Sequence, residues 1–306
     1  MTSRSTDYAL LSQASYKDPD IESRGPTGVT YKKITLDGIE YKPIAHADNP
    51  RNGFQATAYE RQDGSHAVII AYRGTEFGRE PVQDGLVDAG MAVNGVNAQT
   101  ADSEAFTKQV LENAKKTASF NQVPLDVTVT GHSLGGTLAE INAYKFGLRG
   151  ETFNAFGATG LTQGIPQGGN QIIDNVRATD VVSAASPHFG QVRVYALPQD
   201  TQALGQADYT DSRVVNALTP HAPILGKIQA DAHSIDNFVP NSTLLGHSIL
   251  TQQNEKYAQA HSEMIQPYRY DIQGARSVAF VEYQIQSRPS KPPSWAPALQ
   301  STARKL

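Results

Sequence analysis

Val127-Thr128-Val129-Thr130-Gly131-His132-Ser133-Leu134-Gly135-Gly136 is the stretch on which the reading of the fold turns. A β-branched run ends in glycine, histidine and serine, and small residues follow where a helix is expected to begin. The pattern is G-x-S-x-G between a strand and a helix, the layout of a nucleophile elbow, in which a sharp turn lifts the serine Oγ clear of the backbone. The glycines have a steric reason. A Cβ at Gly131 or Gly135 is expected to collide with the neighbouring strand or helix, and Ser133 is expected in a strained conformation that only a tight turn imposes.

Upstream, Ala67-Val68-Ile69-Ile70-Ala71 is apolar on both faces, as a central strand covered by helices on both sides requires. It runs into Tyr72-Arg73-Gly74-Thr75. An oxyanion needs two backbone N–H donors, one after the nucleophile and one from a loop after an earlier strand. Leu134 supplies the first by position. Thr75 is placed for the second, with Gly74 freeing the backbone to turn that amide inward; the plain alternative is an ordinary glycine turn. Period-two patterning predicts strands at 29–34, 39–44, 54–60 and 66–72, with Asp63-Gly64 as a hairpin turn. Residues 6–16 read as a helix capped by Thr6, with Leu10, Leu11 and Ala14 at helical spacing. Residues 77–100 hold an apolar cluster interrupted by Asp84 and Asp88, open both to a packed helix and to a lid over the site. Residues 101–120 are a helix on the spacing of Phe106, Val110, Leu111 and Ala114.

Downstream of the elbow, 137–146 reads as a helix of small and apolar residues stopped by Gly147. Strands are predicted at 152–156, 172–178 and 192–197, with a glycine-rich loop over 157–169. Alternating strands and helices predict a mostly parallel central sheet with helices on both faces, whose functional groups gather at the carboxyl ends of strands. Asp180 stands at such an end. A carboxylate there can orient a histidine and stabilise the imidazolium that forms when it takes the serine proton. Asp174 and Asp200 compete for that role. The base is sought among His188, His221, His233, His247 and His261, since the order in this architecture is serine, acid, histidine. His233, in Asp231-Ala232-His233-Ser234-Ile235, is favoured, and His247 is the rival. The run 278–281 is expected as an edge strand, and the proline-rich 287–306 as a tail or linker, leaving 1–286 as one domain.

Composition narrows the functions. The 306 residues are 39% hydrophobic and 18% charged, with a formal charge of −4 and no cysteine, and the pI is near 6.1. A protein that grips a phosphate backbone usually carries a basic face and a high pI, so nucleic acid is not an expected partner. Without cysteine there is no disulfide, thiolate catalysis or cysteine-ligated metal. The histidines show no H-E-x-x-H pattern, and no metal or organic cofactor is expected. No run of about 18 apolar residues encodes a membrane span. The patch Ala9-Leu10-Leu11 is too short for a signal-peptide core, so the chain is expected in the cytoplasm at synthesis, with a leaderless export route open.

Tyr72-Arg73-Gly74-Thr75 followed by Asp84 and Asp88, then Gly131-His132-Ser133-Leu134-Gly135-Gly136, resembles the class 3 (fungal-type) lipases of the α/β-hydrolase fold. The likeness covers 54–180. Asp180-Val181-Val182 matches the family's catalytic aspartate pattern. Where the family writes T-F-G-x-P after the elbow helix, this chain has Thr152-Phe153-Asn154-Ala155-Phe156-Gly157-Ala158. The Ala232-to-Phe238 stretch looks like bacterial lipase-like relatives, some of them phospholipases delivered as effectors, and the absence of cysteine favours such a relative. The resemblance implies a serine carboxyl-ester hydrolase that meets lipid esters at a membrane or lipid surface, with Ser133, Asp180 and His233 catalytic and Thr75 and Leu134 forming the oxyanion hole. An acyltransferase or thioesterase with the same triad, or a non-catalytic lipid-binding module, are the rival readings.

Overall fold

The computed structural model describes residues 4–26, 28–74, 87–161, 164–219 and 230–286. Its centre is an eight-stranded sheet. The strands are β3 (Ile34–Leu36), β4 (Ile39–Asn49), β5 (Phe54–Arg61), β6 (Val68–Tyr72), β7 (Val127–His132), β8 (Arg149–Phe153), β9 (Ile172–Arg177) and β10 (Gln191–Tyr195). They lie side by side in chain order, from β3 at one edge to β10 at the other. From β3 to β6 each strand is antiparallel to the next, because short turns join them. From β6 to β10 each is parallel to the next, as the intervening crossovers demand. Those crossovers carry α2 (Val87–Asn121), α3 (Leu134–Phe146) and the short α4 (Val181–Ala184). The expectation of a mostly parallel sheet with helices on both faces holds for β6 to β10, and the antiparallel β3 to β6 make the whole sheet mixed. An exposed hairpin of β1 (Ile21–Gly25) and β2 (Gly28–Tyr31) stands outside it.

Strand β6 shows why both faces had to be apolar. Val68, Ile70 and Tyr72 join a core with Phe106 and Val110 of α2 and Leu138 of α3, while Ile69 and Ala71 join a second core with Tyr8, Ala9 and Leu11 of α1 (Arg4–Ala14). Thr128 and Thr130 of β7 are buried too. Thr130 is satisfied by the Ser12 hydroxyl at 2.9 Å and the Tyr8 carbonyl at 3.2 Å, which docks α1 across the sheet. The register sets Tyr72 beside Gly131 and His132 beside Phe153, so the carboxyl ends of β6, β7 and β8 finish level with one another.

The helix expected over 6–16 runs from Arg4 to Ala14 as α1, so Thr6 lies inside its first turn and does not cap it. Four further expectations change. The single strand over 29–34 is divided between β2 and β3. The segments 77–100 and 101–120 meet in one 35-residue helix, α2, which takes in 87–100 of the segment left open to a packed helix or a lid; its residues 77–86 lie outside the described residues. Strand β8 begins at Arg149 and ends at Phe153, three residues earlier than predicted, because Gly147 closes α3 in a left-handed cap and the chain turns at once into the sheet. The run 278–281 is not an edge strand. It lies in α8 (Ser262–Gln286), where Ile265, Tyr268 and Ile272 set a helical buried stripe and four apolar residues are too few to break it. The helices α5 (Pro198–Gln206), α6 (Arg213–Leu218) and α7 (Gln252–Ala260) complete the chain before α8. Among the described residues no helix is long and apolar enough to cross a membrane. The proline-rich 287–306 lie outside them.

Candidate active site

Ser133 joins β7 to α3 with φ 57° and ψ −129°, a left-handed φ that side chains other than glycine rarely adopt. The turn is held by close contacts. A Cβ on Gly131 would run into the backbone of Gly135, and one on Gly135 would run into the carbonyl of Tyr72 and the backbone of Arg73 and Gly74. Leu134 is the first residue of α3, so its N–H precedes any intrahelical acceptor and stays available for an external one. Thr75, the expected second donor, lies outside the described residues.

Asp180 follows β9 by three residues and caps α4. Its Oδ2 accepts the Ser183 N–H at 2.9 Å and its Oδ1 the Val182 N–H at 3.4 Å. His233 ends a 3-10 turn over Ala230–His233. Its Nδ1 donates to Asp180 Oδ1 at 2.9 Å, and its Nε2 is 2.9 Å from Ser133 Oγ. A carboxylate only accepts, so Nδ1 carries the hydrogen and Nε2 is left to accept from the serine hydroxyl. Ser133 and Asp180 are buried, and the His233 side chain is 11% exposed. Burial pushes Asp180 up. The charge and hydrogen bond of His233 and the Ser183 N–H outweigh that, and the carboxyl is held below its ordinary value. The three residues therefore form one polarised line from acid to imidazole to hydroxyl.

The turn bearing His233 is gripped by residues that sequence patterns did not single out. Asn154 Nδ2 donates to the Ala232 carbonyl at 2.8 Å, and Asn237 Nδ2 donates to the carbonyls of Asp231 at 2.7 Å and Ser234 at 2.9 Å. Asn237 is in turn fixed by Arg177 at 3.1 Å, whose buried guanidinium pairs with Asp200. Asn154 has φ 43° and sits where the chain departs from T-F-G-x-P, and that departure was the one signal available.

The other candidates lie elsewhere. Asp200 serves Arg177, His261 pairs with Asp211 at 2.6 Å, His247 is exposed, and His221 lies outside the described residues. His188 and Asp174 join Glu140 in a buried group whose ligand-type atoms lie within 4.8 Å of one another. Glu140 Oε2 already takes the N–H groups of Ala158 and Phe189, Asp174 takes the Thr152 hydroxyl, and His188 Nε2 donates to the Ser183 carbonyl at 2.8 Å. This group ties α3 to β9 and to the loop after α4, with the imidazole supplying the positive charge.

A family model described as phospholipase-like, a Tle-like phospholipase domain, matches residues 7–245. Among solved structures, the native Rhizomucor miehei lipase propeptide complex aligns at 21% identity over 64% of this chain and 70% of that one, with a TM-score of 0.37. A mutant form of MDLA from Penicillium cyclopium aligns at 14% over 63% and 78%, with a TM-score of 0.41. A triacylglycerol lipase from Penicillium expansum aligns at 13% over 63% and 79%, with a TM-score of 0.39. No curated protein matches the chain.

Proposed function

Because the chain belongs to the Tle-like phospholipase family and is by that membership a lipid ester hydrolase, we propose that it cleaves phospholipid acyl esters with Ser133, His233 and Asp180 as its triad. The observation that carries the reading is the unbroken hydrogen-bonded line from Ser133 Oγ through His233 to Asp180, 2.9 Å at each step. His233 Nε2 takes the Ser133 proton as Oγ attacks the ester carbonyl, and Asp180 balances the imidazolium. The N–H of Leu134 holds the oxyanion, with Thr75 assigned as the second donor. The imidazolium then gives its proton to the leaving alcohol. Water, activated by the same Nε2, attacks the acyl-enzyme and releases the fatty acid. Phospholipid is preferred over triacylglycerol on the family's description, and contact with the membrane is peripheral.

The test is Ser133→Ala on vesicles of defined phosphatidylcholine, with triacylglycerol emulsion in parallel and head-group and positional analysis of the products. Alanine keeps the Cβ and hence the strained backbone, so the loss reads the hydroxyl alone. Fatty-acid release is expected to fall on the order of 10⁶-fold. Undiminished release in that variant would remove Ser133 from the chemistry.

A further inference from the structure

We propose that His132 is a positioning residue for His233, gripping its backbone carbonyl through Nε2–H, and that Tyr16 fixes the tautomer that makes this grip possible. The inference rests on His233 being the base. His132 Nε2 lies 2.6 Å from the His233 carbonyl oxygen, and its Nδ1 lies 2.7 Å from the Tyr16 hydroxyl. A carbonyl can only accept, so Nε2 must carry the hydrogen. Burial first, and then the field of the His233 ring 4.7 Å away, drive His132 down to about 3, so it is neutral throughout the working range. Its Nδ1 is then a bare acceptor, and the Tyr16 O–H must point at it. The sense of the chain is fixed from end to end: Tyr16 donates to His132, and His132 donates to the backbone of His233.

The placement has a consequence for catalysis. Asn154 and Asn237 hold the carbonyls on either side, whereas His132 holds the residue that bears the imidazole. His132 is also joined by a peptide bond to Ser133. Nucleophile and base, 100 residues apart in sequence, are thus braced against each other through two adjacent residues of the elbow. A neutral ring also adds no positive charge beside an imidazole that must become cationic. Tyr16 reaches the site because Gly74 leaves room: a Cβ there would strike both the Tyr16 hydroxyl and, at 2.6 Å, the His132 carbonyl.

Kinetics of His132→Leu, His132→Gln, Tyr16→Phe and Ser133→Ala test the proposal, using p-nitrophenyl butyrate turnover and the rate at which a fluorophosphonate labels Ser133. Displacing a reacting group by about 1 Å costs on the order of 100-fold, so His132→Leu is expected to lose about tenfold to 100-fold in kcat and labelling rate, with KM little changed. The glutamine amide N–H can replace Nε2–H, and His132→Gln is expected to recover most of the loss. Tyr16→Phe is expected to slow the wild type several-fold yet to add little in the His132→Gln background, where no tautomer needs setting. The proposal is overturned if His132→Leu labels at the wild-type rate, or if folded His132→Gln is as slow as His132→Leu. Should His132→Leu fail to fold, the Tyr16→Phe and His132→Gln cycle decides, and additive losses overturn it. A dead Ser133→Ala beside unaffected His132 variants defeats this inference alone; an active Ser133→Ala defeats the triad beneath it.

Discussion

Asp180 takes the Nδ1–H of His233 on Oδ1 and the N–H of Ser183 on Oδ2, so one carboxylate both orients the imidazole and caps α4. Its two roles separate on replacement by asparagine. The amide oxygen can still accept from Ser183, and asparagine is as good a cap as aspartate, so the fold is expected to survive. The amide N–H₂ then faces His233 Nδ1 and forces the hydrogen onto Nε2, where it blocks uptake of the serine proton. Asp180→Asn is therefore expected to lower kcat about 10⁴-fold while the melting temperature barely moves. Hydrolysis rates and thermal melts of the one variant check both halves, and near-normal turnover would leave Asp180 a cap and nothing more. The lowered carboxyl also has a sign. Its stabilisation is present above the ordinary value of 3.8 and is lost only as pH falls through the lower folded value, so it does not limit stability near neutrality.

At the scale of elements, α3 crosses β6 and β7 with no space for a side chain at Gly135 in its first turn. A Cβ on Gly135 meets only backbone, that of Tyr72, Arg73 and Gly74, and backbone cannot swing aside. Gly135→Ala is expected to cost about 3 kcal/mol or more and to displace Ser133 in whatever remains folded. Gly147 at the other end of the same helix is the control. It has φ 68° with open space around it, so Gly147→Ala is expected to cost about 1 kcal/mol and to leave turnover intact. Urea unfolding and ester hydrolysis of the pair compare them directly, and equal costs would contradict the crowding at Gly135. This element was legible because it is local: strand, turn and helix are written within Val127 to Phe146, and each constraint acts between near neighbours. Asp180 was legible for the same reason, at the end of a strand. Placing His233 was harder, because Arg177 and Asn237, which help to hold it, are marked by no spacing, and His132 and Asn154 lie in or beside motifs that do not say what their side chains grip. The run 278–281 misled because four apolar residues fit either period, and only the stripe Ile265, Tyr268 and Ile272 decides between them.

At the scale of the molecule, the parallel half of the sheet is cross-braced behind the proposed triad by Glu140 of α3, Asp174 of β9 and His188 of the loop before β10. The brace reaches Asp180 through Ser183, whose carbonyl takes His188 Nε2–H while its N–H holds the Asp180 carboxylate. Three ionisable groups without solvent must share protons to limit their net charge. Burial and the Asp174 charge push Glu140 up to about 8. Burial pulls His188 down, but the carboxylates of Asp174 and Glu140 outweigh it and raise the imidazole to about 10. Both groups thus bind their protons more tightly folded than unfolded. The sign follows from linkage: the stability they lend is complete below the unfolded values of 4.5 and 6.5 and is lost as pH rises through the folded ones. The urea midpoint is therefore expected to fall between pH 6 and pH 10, which is opposite to the dependence expected of Asp180 in acid. Glu140→Gln isolates the cause. Glutamine can still accept the N–H groups of Ala158 and Phe189 through its amide oxygen, but it has no proton to lose, so the fall below pH 8 is expected to flatten. A midpoint that holds steady or rises over that range in the unmodified chain would contradict this account. So would an undiminished slope in the glutamine variant, since the brace would then not be what titrates.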